Sequence, residues 1–156
     1  MNVAIRRASE SDVESILRIL AQLDDSNRTR LSIEEGIRIL RRMASYPDYG
    51  VYVAERADGR VVGAFAMMVM DNLAHQGAPS AIVEDVCVDI SVRGQGVGRA
   101  MMEFAMKHAK EHGCYKLALS SNSARISAHD FYRSLGFSQH GVSFYVELER
   151  SDESVQ

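Results

Sequence analysis

The sequence is poor in the features that several protein classes require. It has only two cysteines, Cys87 and Cys114, with neither metal-ligand spacing nor a paired motif. Reduced thiols are therefore expected, and no metal. No apolar run approaches the roughly 20 residues of a membrane helix. The charges of Met1-Asn2-Val3-Ala4-Ile5-Arg6-Arg7 are not followed by the apolar segment of a secretion signal, so a cytoplasmic protein is expected. Positive charge is not in excess: 18 Lys and Arg stand against 21 Asp and Glu, for a formal net charge of −3. The broad basic footprint of a nucleic-acid binder is missing, so neither nucleic acid nor membrane is an expected partner. Repeats, low-complexity tracts and linkers are also absent. The 156 residues fit one domain over 1–150 with a frayed tail, 151–156.

Ordinary globular patterning fills the rest. Val3 to Arg7 is a first strand. Ser9 with Asp12 forms a helix start, followed by Val13, Ile16, Leu17 and Leu20 at helical spacing. After a polar stretch, Asp24 to Arg28, the pair Ser32 and Glu35 makes a capping box for a second helix expected to bury Ile33, Ile37, Leu40 and Met43. Strands over 51–56 and 60–69 flank Asp58-Gly59, a hairpin signal. A loop over 71–80, a strand over 81–89 and a glycine-rich turn over 91–98 come next. A long helix to His112 then follows, stopped by Gly113. A strand from Tyr115, a helix over 127–135 and one or two strands over 137–148 complete the chain. The predicted class is α+β, a mixed sheet flanked by helices, in the order β-α-α-β-β-β-α-β-α-β-β.

The chemistry concentrates in Val86-Cys87-Val88-Asp89-Ile90-Ser91-Val92-Arg93-Gly94-Gln95-Gly96-Val97-Gly98-Arg99. Glycines at 94, 96 and 98 let a phosphate approach the backbone. The turn opens a helix, whose first N–H groups lack internal partners and whose dipole favours anions. Arg93 and Arg99 add positive charge. A dinucleotide G-x-G-x-x-G would need glycine at 99 or 101, where Arg99 and Met101 stand, and a Walker A loop would need a lysine that is absent. Another diphosphate is implied.

The segment fits Gln/Arg-x-x-Gly-x-Gly/Ala through Arg93, Gly96 and Gly98, and so resembles the cofactor motif of the GNAT superfamily of acetyl-CoA-dependent N-acetyltransferases. The resemblance extends from about 82 to 137. Ala128-His129-Asp130-Phe131-Tyr132-Arg133-Ser134-Leu135-Gly136-Phe137 is similar to that superfamily's A-x-x-F-Y-x-x-x-G-F segment. It implies acetyl-CoA as co-substrate. The backbone of Val86, Cys87 and Val88 would pair with the pantetheine arm, and N–H groups of Gly94, Gln95, Gly96, Val97, Gly98 and Arg99 would hold the pyrophosphate. Asn122, His129 and Arg133 would be further cofactor contacts. Tyr132 matches the tyrosine that protonates the departing thiolate, and Glu84 the acidic position that deprotonates the incoming ammonium.

Asp85 competes for the basic role, because strand alternation would put Glu84 and Asp85 on opposite faces and leave one facing the acetyl group. Cys87 reads as a core thiol, His75 as a solvated loop histidine, and the methionines as core filler. The stretch Ile82 to Val86 with Gly113 to Leu117 looks like glucosamine-6-phosphate N-acetyltransferases. The ten-residue step from Asn122 to Tyr132 is similar to aminoalkylphosphonate and related small-amine acetyltransferases. The expected acceptor is thus a small-molecule primary amine. The alternatives are a protein lysine or N-terminal acetyltransferase, and a non-catalytic acyl-CoA sensor, which would need neither Glu84 nor Tyr132. The superfamily resemblance and the apolar Phe144-Tyr145-Val146 together lead to the expectation of a homodimer.

Overall fold

The computed structural model describes residues 1–23 and 31–148. The polar stretch read at 24–28 and the tail 151–156 lie outside the described residues. The chain falls into two compact units, Met1–Leu119 and Ser120–Gln156.

In the first unit, β1 (Val3–Arg7), α1 (Val13–Leu20), α2 (Ile33–Ala44), β2 (Tyr49–Arg56), β3 (Val61–Met70), β4 (Ser80–Val88), α3 (Val97–Glu111) and β5 (Leu117–Leu119) follow in order. The sheet order is β1-β2-β3-β4-β5. The first three pairings are antiparallel and β4–β5 is parallel. The β2–β3 hairpin closes at Gly59, whose φ of 81° is the positive value the Asp-Gly step anticipates.

Helix starts are set by local chemistry. The Ser9 N–H donates to Asp12 Oδ2 at 2.7 Å, and Arg6 clamps the same carboxylate at 2.7 and 2.9 Å while also bonding Glu55 on β2. The start of α1 is thereby fastened to the sheet. At α2 both arms of the capping box form, Glu35 N–H to Ser32 Oγ at 3.2 Å and Ser32 N–H to Glu35 Oε2 at 3.0 Å. On α2 the expected face is half-buried at Ile37, Leu40 and Met43, and only its first residue departs from the reading. Ile33 is 43% exposed and the buried position is Gly36. A Cβ there would stand 2.6 Å from Val13 Cγ1, so the missing side chain is what lets α1 approach.

Strand alternation sends two sets of side chains to opposite faces. Val53, Ala64 and Cys87 pack with Ile16 and Ile19 of α1. Tyr52 and Phe65 stack at 5.4 Å on the other face and meet Phe104 of α3. A Cβ on Gly63 would come within 2.6 Å of Met101 Sδ. Met67, Met101 and Met102 are fully buried, as core-filling methionines should be.

The second unit contains α4 (Ile126–Ser134). Gly136, at φ 90°, ends it, with Phe137 N–H donating to Tyr132 O at 3.1 Å. The class holds, but the strands read at 137–148 do not form. Phe144 and Tyr145 are 90% and 93% exposed, and Val142, Val146 and Leu148 are exposed with them. Apolar alternation makes a strand only where a neighbour takes up its backbone groups. Among the described residues no helix is long and apolar enough to cross a membrane.

Candidate active site

The site is built on an irregularity in β4. Glu84 lies opposite Ala66 and Cys87 opposite Ala64, so Asp85 and Val86 together face only Phe65. This is a β-bulge, and Asp85 occupies the left-handed region at φ 54°, which aspartate tolerates better than most residues. The extra residue breaks the alternation assumed in the sequence. The doubled position is Asp85 and Val86, both across from Phe65, while Glu84 keeps its register with Ala66. Glu84 and Asp85 are both exposed, and neither makes a hydrogen bond or ion pair among the described residues. Partial desolvation against the sheet, and secondarily the charge of Asp85, push the Glu84 carboxyl up from its ordinary value.

Beyond the bulge, one edge of β4 is open. β5 pairs with it only from Ala81 to Val83, so among the described residues no strand lies beside that edge at Val86, Cys87 and Val88. An extended amide-bearing ligand fits such an edge as an added strand. Val86 and Val88 are half-buried. Cys87 is buried and its thiol donates to Ile19 O at 3.2 Å, which makes it part of the α1 face.

The turn after β4 is held by a residue the sequence reading did not single out. Asp89 is 4% exposed. It accepts from Ser91 N–H at 3.0 Å and Ser91 Oγ at 2.8 Å, and pairs with Arg18 at 2.5 Å. The Arg18 guanidinium and the Ser91 donors hold its carboxyl at about 2. Asp two residues before Ser is an Asx-turn pattern, the one local signal available. Arg93 folds back, its Nε donating to Val88 O at 3.0 Å. Gly94 and Gly96 follow at φ 76° and 86°, and a Cβ on Gly94 would meet nothing within 4 Å. The α3 ladder begins with Ala100 N–H donating to Gly96 O at 3.1 Å. The N–H groups of Gly96, Val97, Gly98 and Arg99 are therefore unspent among the described residues, as first-turn donors are. Gln95 N–H makes only a long bond to Val92 O, 3.4 Å. Arg99 lies 3.8 Å from Glu103. An open turn, free donors and an uncovered strand edge suit a diphosphate with an extended arm.

In the second unit, Asn122 Oδ1 accepts from Ala124 N–H at 2.9 Å, and the Asn122 carbonyl is 2.9 Å from His129 Nε2. Arg133 pairs with Asp130 at 3.0 Å. Three of the expected contact residues thus also brace their own turn and helix. The Tyr132 ring packs against Phe131 at 5.2 Å and Phe137 at 5.7 Å. Its hydroxyl makes no hydrogen bond among the described residues. Burial raises the phenol's pKa, with Arg125 opposing, so it stays protonated at neutral pH. His75 is exposed and stacks on Tyr115 at 4.1 Å.

The sequence matches the acetyltransferase (GNAT) family over residues 14–137. It is 29% identical over 148 residues to the glucosamine 6-phosphate N-acetyltransferase of Trypanosoma brucei brucei, covering 95% of this chain and 97% of that one. The aminoglycoside N(6')-acetyltransferase type 1 of Stenotrophomonas maltophilia is 30% identical over 105 residues, 65% of this chain and 69% of its own. The crystal structure of glucosamine-6-phosphate N-acetyltransferase from Arabidopsis thaliana superposes with a TM-score of 0.83 at 26% identity, covering 96% of this chain and all of that one. The chain belongs to the GNAT acetyltransferase family. Within it, the protein is an acetyl-CoA-dependent N-acetyltransferase.

Proposed function

We propose that this enzyme acetylates the primary amine of a small molecule, an amino sugar, by direct attack of the amine on acetyl-CoA in a ternary complex. The observation that carries this reading is the β4 bulge, which leaves Glu84 without an ion pair among the described residues, beside an open strand edge and just ahead of the glycine turn. The acceptor class is supported by the amino sugars in the names of its relatives. The family match crosses both units, which supports reading 1–150 as one catalytic domain.

Acetyl-CoA supplies an activated acetyl thioester. The backbone of Val86, Cys87 and Val88 binds its arm, and the N–H groups from Gly94 to Arg99 hold the diphosphate. Arg93, Asn122, His129 and Arg133 border the cofactor. A primary amine with a pKa of about 10 is mostly ammonium at pH 7, and only the free base attacks a carbonyl. Glu84 takes that proton, and its raised pKa brings it nearer the working pH. The free amine forms its bond to the acetyl carbon, Tyr132 gives its proton to the sulfur as the carbon–sulfur bond breaks, and the second proton shed by the new amide nitrogen restores the phenol. Coenzyme A release measured across a library of amines tests the reading. Turnover of amino sugars is expected, and an inert library would overturn it.

A homodimer joined through 142–148 belongs to the same reading, because Phe144 and Tyr145 are otherwise left in water. Light scattering checks it, and a monomer mass at every concentration would remove it.

A further inference from the structure

The face of the sheet that carries Glu84 continues past the α1 core into a half-buried floor. Register places Tyr49 opposite Met68 and Met68 opposite Ile82, with Val51, Ala66 and Glu84 forming the next rung on that face. Tyr49, Met68 and Ile82 are each half-buried. Strands lie about 4.8 Å apart and same-face residues about 7 Å apart along a strand. Tyr49 and Glu84, two strands and one such step apart, therefore face each other across a floor about 12 Å along its diagonal. Tyr46, just after α2, sets its ring edge-on to Tyr49, with centroids 6.2 Å apart and planes at 63°. Tyr46 is 52% exposed, and neither phenol makes a hydrogen bond among the described residues. Burial, then the charges of Asp85 and Glu84, raise the pKa of Tyr49, consistent with its lying on the carboxylate side of the sheet.

We infer that the Tyr46–Tyr49 pair is the specificity wall of the acceptor site, selecting an amine borne on a saturated ring over a linear amine; this rests on the acetyltransferase reading of Glu84. An aromatic face is electron-rich, and the C–H face of a pyranose is flat, apolar and weakly positive, so the two stack. The apolar floor of Met68 and Ile82 underlies the ring, and Glu84 meets the amine at its far rim. A linear polyamine offers no flat face and loses more rotational freedom on binding.

The test is steady-state kinetics at saturating acetyl-CoA with glucosamine, glucosamine 6-phosphate and kanamycin against putrescine and spermidine. Tyr49→Leu should raise the KM of the ring amines about tenfold, through loss of the aromatic face. Its kcat, its affinity for CoA and its linear-amine KM should change little. Tyr49→Phe keeps the face and should match wild type. Should Tyr49→Leu fail to fold, Tyr46→Ala at the exposed ring carries the same test, with a smaller rise in the same KM. Equal effects on ring and linear amines, no effect on either, or a wild-type preference for linear amines overturns the inference alone. A wild-type enzyme inert toward every amine overturns the underlying reading and this inference with it.

Discussion

Arg18 on α1 and Asp89 at the end of β4, 71 positions apart in the chain, meet in an ion pair of 2.5 Å. The pair ties the helix on one face of the sheet to the turn that leads into Gly94 and Gly96. Ile90 N–H adds a second tie, donating to Gln22 Oε1 at 2.8 Å. The glycine turn is thus anchored from beneath by side chains that need not touch a ligand bound there.

That anchor makes stability sensitive to acid. The Asp89 carboxyl sits at about 2 against an ordinary 3.8. Between those values the unfolded chain binds more protons than the folded one, so the contribution is complete above pH 4 and drains away toward pH 2. Because Arg18 is half exposed, the contribution is discounted to about 1–2 kcal/mol. Asp12, also held at about 2 by Arg6, adds to the same limb. Melting temperature should be flat above pH 5 and fall steeply below 4. Asp89→Asn should melt several degrees lower at pH 7 and show a shallower acid limb. A mutant curve parallel to wild type would mean that the pair adds nothing.

Gly96→Val is expected to weaken CoA binding by at least about tenfold while the far-ultraviolet circular dichroism is retained, because a Cβ-branched residue both resists φ 86° and crowds the diphosphate. The space around the position is open, with the nearest atom to a built Cβ at 4.0 Å, so no core contact is disturbed. Calorimetric titration with CoA gives the answer. Undiminished affinity in the folded variant would move the phosphate site elsewhere.

The sequence made legible whatever is local. The capping residues Ser9 and Ser32, the Asp58-Gly59 turn and the glycines of the phosphate turn each act within a few residues of themselves. Three features were hidden for distinct reasons. The bulge at Asp85 needs no glycine when aspartate takes the left-handed conformation. The α1–α2 contact is centred on a residue without a side chain, Gly36, so an apolar pattern pointed to Ile33 instead. The Arg18–Asp89 pair depends on a tertiary approach that no spacing records. The C-terminal apolar stretch shows the converse: alternation around Phe144 was legible, but a strand also requires a partner.

Tyr132→Phe removes one oxygen and keeps the packing of the ring against Phe131 and Phe137. With Tyr132 as the proposed general acid, this change should reduce kcat on the order of 10²–10⁴-fold with CoA affinity unchanged. Burial holds the phenol above its ordinary pKa, so wild-type activity should show no loss from phenol ionisation near neutrality. A Phe variant with full kcat on a proven acceptor would leave the thiolate to be protonated by water.

The two carboxylates at the bulge can be separated by pH. In the proposed role Glu84 must be ionised to accept a proton, and desolvation and then the charge of Asp85 raise its pKa. Activity should therefore fall on the acid side at a pH above that of an ordinary glutamate. Asp85→Asn removes the neighbouring charge, stabilises ionised Glu84 and should move that acid limb to lower pH. Glu84→Gln should lower kcat/KM most at neutral pH and recover part of it in alkali, where more of the amine is already free base. The pair of profiles of kcat/KM against pH decides the assignment. If Glu84→Gln gives a profile parallel to wild type while Asp85→Asn abolishes the acid limb, Asp85 is the base and Glu84 shapes its surroundings.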